Sequence, residues 1–169
     1  KRWRAERVMV LDFDAHHGDG TEEILADRPG VRFLSLFQWP LFPHRRMEPT
    51  PSNAVLSPLP AGAGGEDIRN VVENVWLPEI DKFQPDLMIL SAGFDAHCEE
   101  RIAQLKAGEM DYACVTRLLV EASFAYCEGR LVSVLEGGYE LRSLARSVFT
   151  HLQGLIRNPL PAETCKDPN

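Results

Sequence analysis

Short runs of apolar residues alternate along the chain with longer amphipathic segments, and this alternation restricts the fold more than any other feature. The apolar runs have the length of buried strands, and they cover residues 8–11, 31–36, 87–90 and 131–135. The segments between them are long enough for helices that connect one strand to the next. The pattern predicts an α/β fold, with βα units around a parallel sheet and helices on both of its faces.

The segments between the runs predict helices and one long irregular connection. Helical spacing of apolar residues occurs at 21–27, 66–83, 109–127 and 141–156. Pro78 should kink or interrupt the second helix, because proline lacks an N–H group and clashes with the preceding turn. Residues 40–65 are rich in proline and glycine, which predicts a loop with a short strand near residues 55–56. Residues 158–169 are expected to be a tail or a linker.

The composition excludes several classes of function. The chain has 169 residues with 18 basic and 25 acidic side chains, a net charge of −7, so direct binding of nucleic acid is not expected. No apolar run approaches the roughly 20 residues of a membrane helix, and no apolar signal core follows the basic N-terminus. The four cysteines form no CxxC pair, so we expect reduced thiols and a cytoplasmic location.

Polar residues directly follow three of the predicted strands. The sequence DFDAHHGDG follows the first strand at residues 12–20, SAGFDAH ends the third at 91–97, and LEGGY ends the last at 135–139. The carboxyl ends of parallel strands lie at one edge of a sheet, and ligands bind in the crevice there. We therefore expect these three segments to meet and to form a binding site.

The first of these segments has the donor atoms of a metal site. Asp12, Asp14 and His16 are spaced by two, so an extended strand would point all three side chains to one side. Two carboxylates beside an imidazole suit a divalent cation, and Asp95 could supply a third protein ligand. Three ligands and an open position are typical of catalytic zinc. Taken singly, Asp95 would more often be a helix cap, and Tyr139 a packing residue.

In their order and spacing, the three segments resemble the zinc-dependent histone deacetylase family. The LEGGY form at residues 135–139 is most similar to class II members and to bacterial histone-deacetylase-like amidohydrolases. The resemblance covers nearly the whole chain, and it implies an arginase–deacetylase fold. It also implies a metal-dependent amidohydrolase that removes an acetyl or other acyl group from an acylated amine, such as acetyl-lysine or an acetylpolyamine. No membrane partner is implied, and the oligomeric state stays open.

The resemblance also assigns roles to individual residues. Asp14, His16 and Asp95 match the ligands of the catalytic ion, which would be Zn²⁺ or Fe²⁺. Tyr139 matches a tyrosine that donates to the substrate carbonyl, and Gly137 and Gly138 would line the substrate tunnel.

Two further sites follow from the same resemblance. Asp12 and Asp19 match carboxylates that hydrogen-bond an adjacent pair of catalytic histidines. Asp12, Ser35 and Leu36, together with Asp14 and His16, match a structural K⁺ site.

The family's catalytic histidine pair lies upstream of the first segment, and the adjacent pair in this chain, His16 and His17, is inside the metal segment. We therefore expect residues 1–157 to be the C-terminal portion of a deacetylase domain, incomplete by itself. Two alternatives stay open. The chain could be an inactive deacetylase-like fragment or binding module that lacks the histidine pair. It could also be an arginase-like hydrolase with two manganese ions, although the segment around Asp95 offers few further carboxylates.

Overall fold

The computed structural model describes residues 4–44 and 47–156. Five parallel strands form one sheet in the order β3-β2-β1-β4-β5. The strands are β1 (Val8–Asp12), β2 (Val31–Gln38), β3 (Ala54–Leu59), β4 (Leu87–Ala92) and β5 (Leu131–Leu135). The helices are α1 (Asp19–Leu25), α2 (Gly65–Val71), α3 (Leu77–Phe83), α4 (Glu109–Cys127) and α5 (Leu141–Leu155). The α/β class with a parallel sheet is thus confirmed.

Alternation along the strands separates the two faces of the sheet. Leu11 of β1 lies beside Leu34 of β2 and Leu90 of β4, and all three are fully buried. Trp76 and Leu119 belong to the same apolar cluster, so the helices between residues 65 and 127 cover this face. Burial of these apolar side chains is the main force that holds the sheet and the helices together.

The opposite face of the sheet carries α1. Ser35 and Phe33 alternate with the core residues of β2, so their side chains point to the other side. His17, just before α1, contacts both of them: its Nδ1 lies 3.2 Å from the Ser35 hydroxyl, and its ring packs against the Phe33 ring. Helices therefore lie on both faces, as expected.

Two prolines lie inside secondary-structure elements, at positions that tolerate them. A π-helical turn, Val72–Trp76, lies between α2 and α3, and Pro78, which has no N–H group to donate, is the second residue of α3. The predicted interruption is therefore present, just before the proline. Pro58 lies in β3, which pairs only with β2 within the sheet, and an edge strand tolerates proline.

Most predicted elements match the structure to within two residues. The strand expected near residues 55–56 is β3, and α1 begins two residues before the predicted start.

The predicted tail at 158–169 lies outside the described residues. Over residues 4–44 and 47–156, no helix combines the length and apolar character needed to cross a membrane. Cys98 and Cys127 are free thiols, but Cys114 is disulfide-bonded, so the expectation of reduced thiols is wrong at Cys114.

Candidate metal centre at the strand tips

Three neighbouring strands end at the same edge of the sheet and bring the polar segments together. β1 ends at Asp12, β4 at Ala92 and β5 at Leu135, and the three strands are adjacent and parallel. Main-chain bonds join the segments that follow: Phe13 donates to Ser91 O at 3.1 Å, and Glu136 donates to Ala92 O at 3.0 Å. This is the edge at which open parallel sheets bind ligands.

Asp14, His16 and Asp95 form a compact cluster of possible metal ligands. One donor atom from each lies within 4.8 Å of the others. The Nδ1 atom of His16 lies 2.7 Å from Asp95 Oδ2 and 3.1 Å from Asp14 Oδ1. The other Asp95 oxygen accepts the Ala15 N–H at 2.8 Å, which fixes the carboxylate in the cluster. The structure thus brings together the three residues that the sequence nominated as ligands.

Electrostatics in the cluster favour a cation between the two carboxylates. Hydrogen bonds to Asp14 and Asp95 raise the pKa of His16 to about 10. Burial raises the pKa of Asp95, and the hydrogen bond from His16 offsets this only in part. Burial would also raise the pKa of Asp14, but hydrogen bonds from His16 and from the Gly137 N–H hold it below its usual value. Without a metal, a proton on His16 supplies the positive charge that these acids require.

The segment after β5 is fastened to the cluster through its main chain. Gly137 donates to Asp14 Oδ2 at 2.8 Å, and its carbonyl accepts the Phe94 N–H at 2.7 Å. A Cβ atom on Gly137 would lie 2.5 Å from oxygens of both Asp14 and Asp95, so a side chain there would displace both carboxylates. Gly138 has φ +135°, a conformation that favours glycine. The absent side chain of Gly137 thus leaves room for the carboxylates.

Tyr139 follows these glycines and lies at the protein surface. The residue is 62% exposed. Partial desolvation and the negative charges of Asp95, Asp14 and Glu100 raise the pKa of Tyr139, so its hydroxyl keeps its proton at neutral pH. Tyr139 is two residues after Gly137, which bonds to Asp14, and its neutral phenol can donate a hydrogen bond.

Asp12 lies beside the cluster and does not belong to it. An extended strand would carry Asp12, Asp14 and His16 on one side, but β1 ends at Asp12, so the three residues do not lie on one strand. The Asp12 carboxylate instead accepts the Asp14 N–H at 3.1 Å. Burial, with the nearby charges of Asp14 and Glu136, raises the pKa of Asp12 well above its usual value. Asp12 and Glu136, together with Asp14 and His16 of the cluster, line an open depression of about 150 Å³.

The other predicted site residues occupy different surroundings. Asp19 is exposed at the first position of α1, where its carboxylate accepts the Gly20 N–H at 2.8 Å. Ser35 and Leu36 are fully buried on β2, with Ser35 paired in register to Asp12. A larger depression of about 380 Å³ lies at the opposite edge, beside Val31, and none of the predicted site residues lines it.

Sequence reasoning missed two residues at this edge. Glu100 accepts the main-chain N–H groups of Tyr139 and Glu140, at 2.7 and 2.9 Å. Gly93 lies against Asp14: a Cβ atom there would lie 2.5 Å from the Asp14 Cα atom. The glycine of SAGFDAH was a visible signal for close backbone approach, whereas the pattern of apolar residues gave no signal for Glu100.

The fold and the cluster define an α/β protein with a candidate metal centre at the carboxyl ends of its strands. Comparison with known proteins gives the family: the histone deacetylase domain matches residues 1–155, and the chain belongs to this family. The chain is 34% identical over 169 residues to "Histone deacetylase 10, chloroplastic" of Oryza sativa subsp. japonica, covering 96% of this chain and 38% of that protein. It is 31% identical to the "Histone deacetylase-like amidohydrolase" of Pseudomonas aeruginosa, over 94% of this chain and 45% of that protein.

Solved structures agree with this assignment. The HDA15 HD domain superimposes with a TM-score of 0.82 at 29% identity, covering 96% of this chain and 48% of that one. An acetylpolyamine aminohydrolase from Burkholderia pseudomallei gives a TM-score of 0.79 at 28% identity, covering 91% and 46%. The chain therefore has the arginase–deacetylase fold, and it spans less than half the length of these relatives.

Proposed function

We propose that this chain supplies the metal-binding part of a deacetylase that removes an acetyl or other acyl group from an amine. The observation that carries the proposal is the convergence of Asp14, His16 and Asp95 next to the loop that bears Tyr139. Relatives named as histone deacetylases and as polyamine deacetylases support the reaction class. Acyl-lysine and acylpolyamine share one reacting group, an amide on an alkylamine, so either could be the substrate.

The donor set of the cluster fits a divalent ion of the zinc type. Two carboxylates and one imidazole nitrogen are common zinc ligands, and three protein ligands leave a coordination position open for catalysis. Among the residues that the structure describes, Asp14, His16 and Asp95 are the one group of three possible metal ligands. A single group of this size favours one catalytic ion over the two-manganese alternative. We assign Zn²⁺ as the ion, with Fe²⁺ as the other candidate.

A bound ion of this kind supplies Lewis acidity, which polarises an amide carbonyl and lowers the pKa of water. In the proposed reaction, Tyr139 donates its hydroxyl proton in a hydrogen bond to the substrate oxygen, where negative charge develops. Its raised pKa keeps that proton available at neutral pH. Preorganised donors of this type stabilise the transition state more than the ground state.

The remaining assignments concern the surroundings of the cluster. Asp12 and Asp19 would accept hydrogen bonds from a histidine pair supplied by another part of the full protein. Gly137 and Gly138 would line the substrate channel beside Tyr139. Asp12, Ser35 and Leu36 would contribute to a K⁺ site with Asp14 and His16, and the register between Asp12 and Ser35 supports this grouping.

A cytoplasmic location stays a prediction.

The test is metal analysis and hydrolysis assays on the full-length protein that contains this chain. We expect about one equivalent of zinc and zinc-dependent hydrolysis of acetyl-lysine peptides or acetylpolyamines. Asp95→Asn should lose the ion and the activity, because the amide cannot replace a carboxylate ligand. The matched control is Asp81→Asn, since Asp81 lies exposed on α3, away from the cluster, and its carboxylate accepts from the Tyr126 hydroxyl and the Gln84 amide.

Each alternative has its own result. Zinc binding without hydrolysis of any acylated amine would support the inactive binding module. Two manganese ions per chain would support the arginase-like hydrolase. A folded protein that binds no divalent ion at Asp14, His16 and Asp95 would refute the proposal.

A further inference from the structure

The carboxylate of Glu100 holds the main chain of the segment that carries Tyr139. Its Oε1 atom accepts the N–H groups of both Tyr139 and Glu140. Glu100 is only five residues after Asp95 and is held by a turn in which its own N–H donates to His97 O at 2.9 Å. One short stretch of chain therefore provides both a candidate metal ligand and the acceptor for the tyrosine segment.

Tyr139 needs such an anchor, because its own side chain provides little packing. The residue is largely exposed, and two glycines precede it. The first, Gly137, is held on both sides by Asp14 and Phe94. The second, Gly138, has a positive φ and wide conformational freedom, so the bonds to Gly137 do not by themselves fix the direction of the next residue.

We propose that Glu100 is a positioning residue, which holds the segment of Tyr139 beside the metal cluster by accepting from the N–H groups of residues 139 and 140. This inference rests on the proposed function, because the proposed function is what assigns Tyr139 a role in the reaction. A shift of about 1 Å in a catalytic group can reduce a rate about 100-fold. An acceptor that fixes the peptide on the N-terminal side of Tyr139 therefore has a direct effect on turnover.

A purely structural role for Glu100 gives different expectations. Glu140 is the N-cap of α5, and its side chain accepts the Arg142 N–H at 3.3 Å. In a purely structural role, Glu100 would stabilise only the start of α5, by accepting the N–H of Glu140. Glu140→Ala separates the two roles, because it removes the cap of α5 and leaves the Tyr139 N–H bonded to Glu100.

The kinetic test compares three variants of the full-length zinc-loaded protein. Glu100→Ala should lower kcat about 10- to 100-fold with KM changed less than about threefold, as expected for an interaction that matters in the transition state. Glu100→Gln keeps an acceptor oxygen and should restore most of the rate. Glu140→Ala should lower the melting temperature and leave kcat within about twofold of the parent protein. Equal losses of kcat in Glu100→Ala and Glu140→Ala would overturn the inference.

A double variant tests whether Glu100 acts through Tyr139. If it does, Glu100→Ala combined with Tyr139→Phe should have the rate of Tyr139→Phe alone, since there is no hydroxyl left to position. Losses that multiply in the double variant would show that Glu100 acts elsewhere, and the inference would be wrong.

Amide hydrogen exchange gives a readout that does not depend on activity. Glu100→Ala should speed exchange at residues 139 and 140, while the Gly137 amide, bonded to Asp14, keeps its protection. Unchanged exchange at 139 and 140 would refute the positioning role, whether or not the protein is a deacetylase. Faster exchange in a protein that hydrolyses no acylated amine would refute the proposed function and leave Glu100 as the anchor of this segment.

Discussion

His151 should make the protein less stable in acid, and its contacts determine its protonation. Thr116 donates its hydroxyl to Tyr112 O at 2.7 Å, so it accepts from the Nδ1–H of His151 at 2.6 Å. The Nε2 atom then has no proton and accepts the Ser133 hydroxyl at 2.8 Å. His151 is thus a neutral, buried link between α4, α5 and β5.

The magnitude follows from the pKa. Burial lowers the pKa of His151 from its usual 6.5 to about 4. Between these values, the unfolded chain binds a proton that the folded chain excludes, so stability falls as the pH falls below about 6.5. The difference amounts to about 2 kcal/mol between about pH 8 and about pH 5, and it approaches about 3 kcal/mol once the pH is below the folded pKa.

Urea unfolding at several pH values measures this effect as the difference between parent and variant, so that other titrating groups cancel. His151→Gln should be less stable at neutral pH, because its packing differs, but it should lose about 2 kcal/mol less than the parent on going from pH 8 to pH 5. His44→Asn is the control, since His44 is exposed in a loop and Asn tolerates its positive φ. Parallel pH profiles for parent and His151→Gln would refute the reasoning.

Three further perturbations test the site. Tyr139→Phe should keep the metal and lose about 100-fold or more in kcat, measured by zinc analysis and steady-state kinetics; an unchanged rate would remove Tyr139 from the mechanism. Gly137→Ala should weaken zinc binding at least about tenfold by displacing two carboxylates, whereas Gly20→Ala, with nothing within 4 Å of its Cβ, should bind normally in the same titration. Removing the ion with a chelator should lower the melting temperature, since zinc at 100 times its Kd stabilises by about 2.7 kcal/mol; no shift would show that the folded protein gains nothing from zinc.

Sequence pattern alone predicted the strands, because their apolar runs are short and sharply bounded. It also predicted that Asp14, His16 and Asp95 would approach one another. The reason is geometric: parallel strands end at one edge, so residues just beyond β1 and β4 meet if the strands are neighbours. The two-residue spacing did not place Asp12 in the cluster with Asp14 and His16, because β1 ends at Asp12. Periodicity along a strand does not show where the strand ends.

Sequence pattern could not have predicted the role of Glu100. The residue lies in an irregular stretch, and its partners at 139 and 140 are about 40 positions away along the chain. A carboxylate in a loop is usually solvated. The contact of Glu100 with residues 139 and 140 depends on the turn in which its N–H donates to His97 O. Such contacts follow from tertiary structure and not from local propensity.

The two oxygens of Asp14 contact different partners, one in the cluster and one in the loop that follows β5, and this couples the two parts of the candidate site. Oδ1 lies 3.1 Å from His16 Nδ1, and Oδ2 accepts the Gly137 N–H at 2.8 Å. Any rotation of this carboxylate therefore changes both its approach to His16 and the start of the segment that carries Tyr139. Since Glu100 holds the other end of that segment, the tyrosine is fixed between two carboxylates, one of which is a candidate ligand of the metal.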